Sequence, residues 1–572
     1  MSVVVRPVVI LLLWIGVIAW LTWPLAGHLT THLPAVAVGG PLDSLLNGWA
    51  MAHQSRALVA DPCSIADGGI YWPARRALFY GEAGFGGVPF FMPVFLATGN
   101  PTLALNVVLF AGLALTAWAM HLVVAHLTGS DRAGFVAATA LATSPWFAWA
   151  WLPAVPSFGM LQYFPVIMYL AARPATDRRT TLALFGLVVV QGLTTVYVAV
   201  PLIAPLLVLG VIRVARRPTR RAGLVLLGVL AGAALVLCAA YSGYALVHFE
   251  DPLVATRSHW LAKPTDPLPA ALGTAARLGP LAVPPGAVVL IALGLLIVAG
   301  RGDGAWSVLG RLPWRVGWLW TAVGLVIAIR PRADWRASLI AAPHSLIARF
   351  TPFYEVIRIP ERLGLAALMG IAMLTGFAFA EGERLIAHRR DGSPRSPVVA
   401  HVTTIALMVC AVGAMYVTCQ RGLGSPWLSV RPLPAPYPIT ASVPPPPSGL
   451  MDVLARPGGP LLELPVGTTP WPAARAMWRS IFHRRALLNG YNGYWPAGFP
   501  ERMALATRLP DPVALDELAD ETGVDLILVH AADYGTDPAR TTWTELAARG
   551  GDGRLSLVAR EGHDLLFRVA RK

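Results

Sequence analysis

Apolar runs of membrane-crossing length, separated by short Arg-bearing loops, fill the first three quarters of the chain. They lie near 7–26, 103–127, 133–152, 159–172, 181–196, 197–213, 222–246, 285–300, 315–330, 363–380 and 398–418, about eleven spans in all. A helix needs roughly 20 apolar residues to cross the hydrocarbon core. The run 181–213 holds two short helices with a turn near Thr194 to Tyr197. Residues 85–97 are apolar but short and interrupted by Pro89 and Pro93, which predicts a re-entrant or interfacial segment. The interiors of the spans carry no Asp, Glu, Lys or Arg.

Beyond residue 420 the pattern changes. A Pro-rich stretch runs from Pro432 to Pro447. Strand-like runs follow at Leu461–Val466, Leu526–His530 and Leu565–Val569, with helix-like stretches at Pro512–Thr522 and Thr541–Arg549. The expected partition is a membrane domain over 1–419 with a first external loop at 27–102, a linker over 420–447, and a small α/β domain over 448–572. The fold class is therefore mainly α, a polytopic membrane protein with a C-terminal α/β domain.

Composition agrees: 55% of residues are hydrophobic and only 13% charged, where a soluble domain carries roughly 25%. The formal net charge is +14, almost all from Arg, with Lys only at 263 and 572. The Arg residues fall in short loops: Arg173, Arg178 and Arg179; Arg213, Arg216, Arg217, Arg220 and Arg221; Arg301, Arg311 and Arg315; Arg384, Arg389, Arg390 and Arg395. That placement orients a membrane protein and argues against a nucleic-acid partner. It predicts a cytoplasmic N-terminus, with the loops 27–102, 247–284 and 331–362 and the tail from about 420 outside the cytoplasmic membrane. Val8 to Trp23 is longer than a signal-peptide core and no A-x-A site follows, so it reads as a retained first span. Four Cys show no metal or redox spacing; Cys238 and Cys410, inside apolar runs, read as packing residues.

Candidate chemistry gathers in the first external loop. Leu42 to Leu58 has helical apolar spacing, as in helices that lie in the membrane interface. Asp43 and Asn47 sit at i and i+4 and are neighbours on its surface, with Trp49 close by. Asp43 reads either as a helix N-cap or as a catalytic carboxylate. Tyr80-Gly81-Glu82 puts a second carboxylate in a Gly-rich turn. Arg358-Ile359-Pro360-Glu361-Arg362 places two Arg at the outer face, where the charge bias disfavours them. They suit either a lipid phosphate site or headgroup snorkelling. The segment Asn489 to Trp495 suits sugar stacking or a tight turn.

These residues resemble the GT-C superfamily of membrane glycosyltransferases, among its bacterial YfhO-like and mannosyltransferase-like multi-pass proteins. The likeness is carried by Asp43-x-Leu-Leu-Asn47-x-Trp49, by Tyr71-Trp72-Pro73 followed by Glu82, by Gly99-Asn100-Pro101 leading to Asn106, and by Arg358-x-Pro360-x-Arg362. Leu462-Glu463-Leu464-Pro465 and Asn489-Gly490-Tyr491 extend it into the tail. The resemblance implies transfer of a hexose or pentose from a polyprenyl-phosphate donor to an extracytoplasmic glycan, lipid or protein. Asp43 and Glu82 would be catalytic. Asn47, Trp49, Tyr80, Arg358 and Arg362 would hold the substrate and the lipid phosphate. It names no certain cofactor; a divalent metal is the candidate. The pattern departs from relatives in having Gly40-Pro41 before Asp43 and His53-Gln54 where a Trp-Asp pair often stands, which removes a carboxylate a metal would use. A lipid or polysaccharide transporter and a non-catalytic scaffold are the rival readings; the charge-free spans weigh against ion-coupled transport.

Overall fold

The computed structural model describes residues 5–35, 40–144, 146–147, 152–174, 176–257, 285–300, 312–328, 360–388, 393–421, 436–467 and 469–570. Arg358 and most of the loops 247–284 and 331–362 lie outside them.

Helix α1 (Val5–Leu21) leads through strand β1 (His32–Pro34) to α2 (Gly40–Ala60). Then come α3 (Val88–Thr98), α4 (Pro101–Thr128), α5 (Asp131–Ala142), α6 (Phe164–Ala172), α7 (Arg178–Gly192), α8 (Val196–Ala215), α9 (Arg220–Ala240) and α10 (Ser242–Glu250). Helices α11 (Pro285–Gly300), α12 (Leu312–Ile327), α13 (Leu365–Ala387) and α14 (Pro397–Arg421) complete the apolar part. Local chemistry sets several ends. Gly99, at φ 67°, closes α3, and Asn100 then caps α4 by accepting from the Leu103 N–H, with Pro101 in the first turn.

Five helices among the described residues are long and apolar enough to cross a membrane: 101–128, 196–215, 217–240, 362–387 and 397–417. Four more, over 5–21, 85–98, 286–299 and 314–327, are apolar but shorter. Among the described residues the expectation of about eleven spans is met in part. Within the run 133–152 the described residues include the 12-residue α5, and within 159–172 the 9-residue α6. Hydropathy does not register where the helical ladder stops: α5 ends at a Thr143-Ser144 turn, and the 3-10 turn Pro156–Gly159 precedes α6. The turn between α7 and α8 falls at the expected place.

Helix α13 is buried along nearly its whole length, packed against α5, α11, α12 and α14. Small residues permit this, as is usual between helices in lipid: a Cβ on Gly324 of α12 would collide with the Ala367 backbone. The expectation of charge-free spans also needs amending. Helix α13 continues past residue 380 and carries buried Glu381 beside Arg384. Near this end Arg132 meets Glu383 at 3.3 Å, and Arg6 pairs with Asp131. Cys238 and Cys410 lie on exposed helix faces rather than in the packing, and Cys63 is an exposed free thiol.

In the tail, β2 (Ile439–Ala441) pairs antiparallel with β1, so part of the Pro-rich stretch is strapped to the first loop. Helix α15 (Ser448–Leu454), strand β3 (Leu461–Leu464), helices α16 (Trp471–His483), α17 (Phe499–Arg508) and α18 (Pro512–Thr522), strand β4 (Leu526–His530), helix α19 (Ala539–Ala548) and strands β5 (Leu555–Glu561) and β6 (Asp564–Val569) follow. The sheet order is β3-β4-β6-β5, with β3 parallel to β4 and the other pairs antiparallel. One core lies within this unit, around Trp543 and Phe567. Another is shared: Trp478, Leu487 and Tyr491 pack with Trp49, Tyr71 and Phe79 of the first loop. Helix α2 is therefore held between the tail and the bundle instead of lying on an open interface; Leu58 and Val59 at its far end stay exposed.

Candidate active site at the loop–domain junction

Asp43 lies in the first turn of α2, inside the helix, where a carboxylate meets the positive end of the dipole. Its Oδ1 accepts a hydrogen bond from the Tyr491 hydroxyl at 3.1 Å, across 448 positions of sequence. One turn on, Asn47 donates Nδ2 to the Asp43 carbonyl (2.7 Å), and its Oδ1 accepts from Ser157 Oγ (3.4 Å) in the turn Pro156–Gly159.

Glu82 follows Gly81, whose carbonyl accepts from Tyr244 Oη at 2.6 Å; the Ala83 N–H donates to that Tyr244 Oη at 2.9 Å. One phenol thus clamps the backbone on both sides of Glu82. Burial, and then the Glu82 charge, push the Tyr241 and Tyr244 phenols well above their ordinary range, so both stay neutral donors. Gln54 donates its amide to the Ala83 carbonyl.

Arg362 sits in a 3-10 turn before α13 with its guanidinium 5.0 Å from the centroid of the Tyr197 ring, a cation–π contact. Tyr197 opens α8 and lies 5.9 Å from the Phe158 ring, next to Ser157. A Cβ on Gly84, two residues after Glu82, would come within 3.0 Å of Ser157 Oγ, which sets the Glu82 loop against the same turn. Asp43, Asn47, Glu82 and Arg362 are therefore linked through the turn at 156–159 and the start of α8.

Two other expected site residues lie elsewhere. Tyr80 is 7% exposed, its ring 5.9 Å from Tyr71 and its carbonyl accepting from the Tyr494 N–H at 2.8 Å. Its place is the seam between loop and tail. Trp49, also buried, stacks at 6.3 Å with His53 on the side of α2 that faces α16. Among the described residues no three His, Cys, Asp or Glu side chains converge to hold a metal ion. With Gln54 in place of a carboxylate, the described residues do not fit one. Ser157, Tyr197 and Tyr244 were not singled out from sequence, and their types in apolar surroundings carry no signal that would have done so.

The seam is closely fitted. A Cβ on Gly81 would overlap the Asn492 side-chain oxygen, and Asn492 is itself held by the Gly493 N–H (2.9 Å) and the Ala77 carbonyl (3.3 Å). Gly81→Ala is expected to destabilise docking of the tail by about 1–3 kcal/mol, as overpacking does. Limited proteolysis at the seam should accelerate; an unchanged cleavage rate would show that Asn492 moves aside freely.

No protein-family model matches the chain, and no curated protein matches it. Solved structures that resemble it include the archaeal oligosaccharyltransferase AglB from Archaeoglobus fulgidus, determined with an inhibitory peptide and a dolichol-phosphate. That likeness has TM-score 0.45 and 10% identity over 92% of this chain and 69% of that one. ArnT from Cupriavidus metallidurans matches in its apo state with TM-score 0.42 and 13% identity over 97% of each chain. Its complex with undecaprenyl phosphate matches with TM-score 0.41. Both proteins are membrane glycosyltransferases of the GT-C superfamily, the one the sequence motifs resemble.

Proposed function

We propose that this protein is a membrane glycosyltransferase that moves a sugar from a polyprenyl-phosphate donor to a glycan, lipid or protein acceptor at the outer face of the cytoplasmic membrane. The carrying observation is that two carboxylates and a guanidinium, distant in sequence, are linked through one turn: Asp43 and Glu82 from the first loop, and Arg362 from the start of α13.

The chemistry asks for those groups. An acceptor hydroxyl must lose its proton as it attacks the anomeric carbon, and Asp43 is the base in reach of the surface. The bond from that carbon to the phosphate oxygen breaks on the opposite side, so the configuration inverts. Negative charge then grows on the departing lipid phosphate, where Arg362 supplies a planar cation. Glu82, on the backbone clamped by the neutral Tyr244 phenol, orients the acceptor. The same reading puts the N-terminus in the cytoplasm and the tail domain outside, with Tyr491 joining that domain to the base.

The test uses the purified chain in nanodiscs with polyprenyl-phosphate-linked hexoses and pentoses, following release of the lipid phosphate. Arg362→Ala is expected to lower kcat by about 10²–10³-fold, the usual loss for one group stabilising developing charge. Absence of transfer from every donor by folded wild-type protein would overturn the proposal.

A further inference from the structure

A cavity of about 310 Å³ lies between α2 and α16, lined by Trp49, His53, Arg56, Asp67, Arg484 and Arg485 among others. It is well away from Asp43. Arg56 is 13 positions further along α2, about 20 Å at 1.5 Å per residue.

Its charge is unbalanced. Arg485 is satisfied by Asp525 at 3.2 Å and by the Leu454, Arg456 and Gly459 carbonyls. Among the described residues, Arg56 and Arg484 form no ion pair. Burial and then the nearby Arg484 charge push Arg56 down to about 10, so two guanidiniums face one space at mutual cost. Arg56 is braced from behind by the Phe95 ring at 4.9 Å, and its Nη1 donates to the Ile481 carbonyl of α16 at 2.5 Å, leaving its other N–H groups for a ligand. Arg484 is presented by the left-handed turn (φ 61°) that ends α16. Burial holds the His53 imidazole below its ordinary range, and its Nε2 bonds the Ile65 carbonyl at 3.1 Å, so it adds a polar wall but little charge. The one carboxylate on the lining, Asp67, is exposed at the rim and accepts from the Arg76 N–H at 2.9 Å. Leu58, Val59 and Leu96 are exposed on the same two helices, α2 and α3, that carry Arg56 and Phe95. An apolar margin beside paired cations is what a phosphorylated group at a lipid surface meets.

We infer that this cavity is a second anion site, separate from the proposed transfer site, that takes a phosphate group between Arg56 and Arg484. The planar forks of two arginines match phosphate oxygens, and the volume admits the phosphate with a small headgroup. The phosphate comes either from a membrane lipid headgroup or from a soluble phosphomonoester.

The test uses the full chain in nanodiscs of zwitterionic lipid. One arm titrates glycerol 3-phosphate by calorimetry; the other adds phosphatidic acid to the nanodisc and counts lipid retained by native mass spectrometry. Arg484→Asn, which suits the left-handed turn, and Arg56→Gln are each expected to weaken binding at least tenfold. Asp67→Asn is expected to strengthen it. Binding in the first arm with this pattern identifies a soluble phosphate, and retention only in the second identifies a lipid. No binding of either anion by wild type, or equal binding by both Arg variants, overturns the inference. Transfer activity is not the readout, so failure here leaves the proposed function standing.

Discussion

Asp43→Asn is expected to cut sugar transfer by about 10²–10⁴-fold, the range for loss of a general base. The change is nearly isosteric. An amide oxygen still accepts from the Tyr491 hydroxyl, now at 3.1 Å from the carboxylate, and the backbone carbonyl that receives Asn47 is untouched. Only the capacity to take a proton is removed. The loss should therefore fall on kcat, with KM for the donor little changed. Tyr491→Phe is the useful comparison: it removes a positioning contact and keeps the base, so a smaller loss is expected. Wild-type turnover by folded Asp43→Asn protein would return Asp43 to a structural role.

The largest effect on stability is expected at Glu463. This carboxylate, 2% exposed on β3, meets Arg479 Nε at 2.8 Å, His530 Nε2 at 3.1 Å and His483 Nε2 at 3.8 Å. His530 bonds Asp564 through Nδ1 at 2.8 Å. Glu463→Gln leaves Arg479 buried without a counter-charge and is expected to cost the tail domain about 3–5 kcal/mol. Thermal unfolding of that domain checks it; a loss under about 1 kcal/mol would mean that water reaches Arg479.

The same cluster sets a pH window. Burial opposes the Glu463 charge, but Arg479, the hydrogen bond from His530 and the nearby His483 imidazole outweigh it and hold the group well below its ordinary 4.5. Its contribution is present above about 4.5 and is lost as pH falls through the depressed native value. For His530, burial also opposes the charge, yet Asp564 and Glu463 raise it above 6.5. Its contribution is full below about 6.5 and fades as pH rises through the raised native value. The domain should thus be most stable between about pH 4.5 and 6.5, with the unfolding midpoint falling on both sides.

How far the sequence could be read depends on the range of the interaction. Helix α2 was legible from its spacing, as Leu42–Leu58 against the observed Gly40–Ala60. So were β3, β4, β6 and α18, whose apolar runs and capping Asp511 are local signals. Strand β5 was missed because its apolar stretch is short, broken by Ser556 and followed by Arg560 and Glu561, and only Leu555 is fully buried. Helices α5 and α6 were read too long because hydropathy measures burial, and the turns between them are buried as well. For the site, Asp43 and Asn47 could be seen together because they are one turn apart. The Tyr491 contact, the Tyr244 clamp on Glu82 and the Tyr197 seat for Arg362 depend on how separate helices pack, which no local pattern encodes.

The pairing of β1 with β2, and of Asp43 with Tyr491, has a consequence for biosynthesis. Chains emerge from the ribosome N-terminus first, yet the first loop finds its partners only when residues near 440 and 491 have been made and delivered to the same side. Until then α2 has its α16-facing surface uncovered, and the carboxylate waits without its phenol. Segments synthesised late complete the first loop, so a truncation before Tyr491 should leave a bundle that inserts but cannot mature.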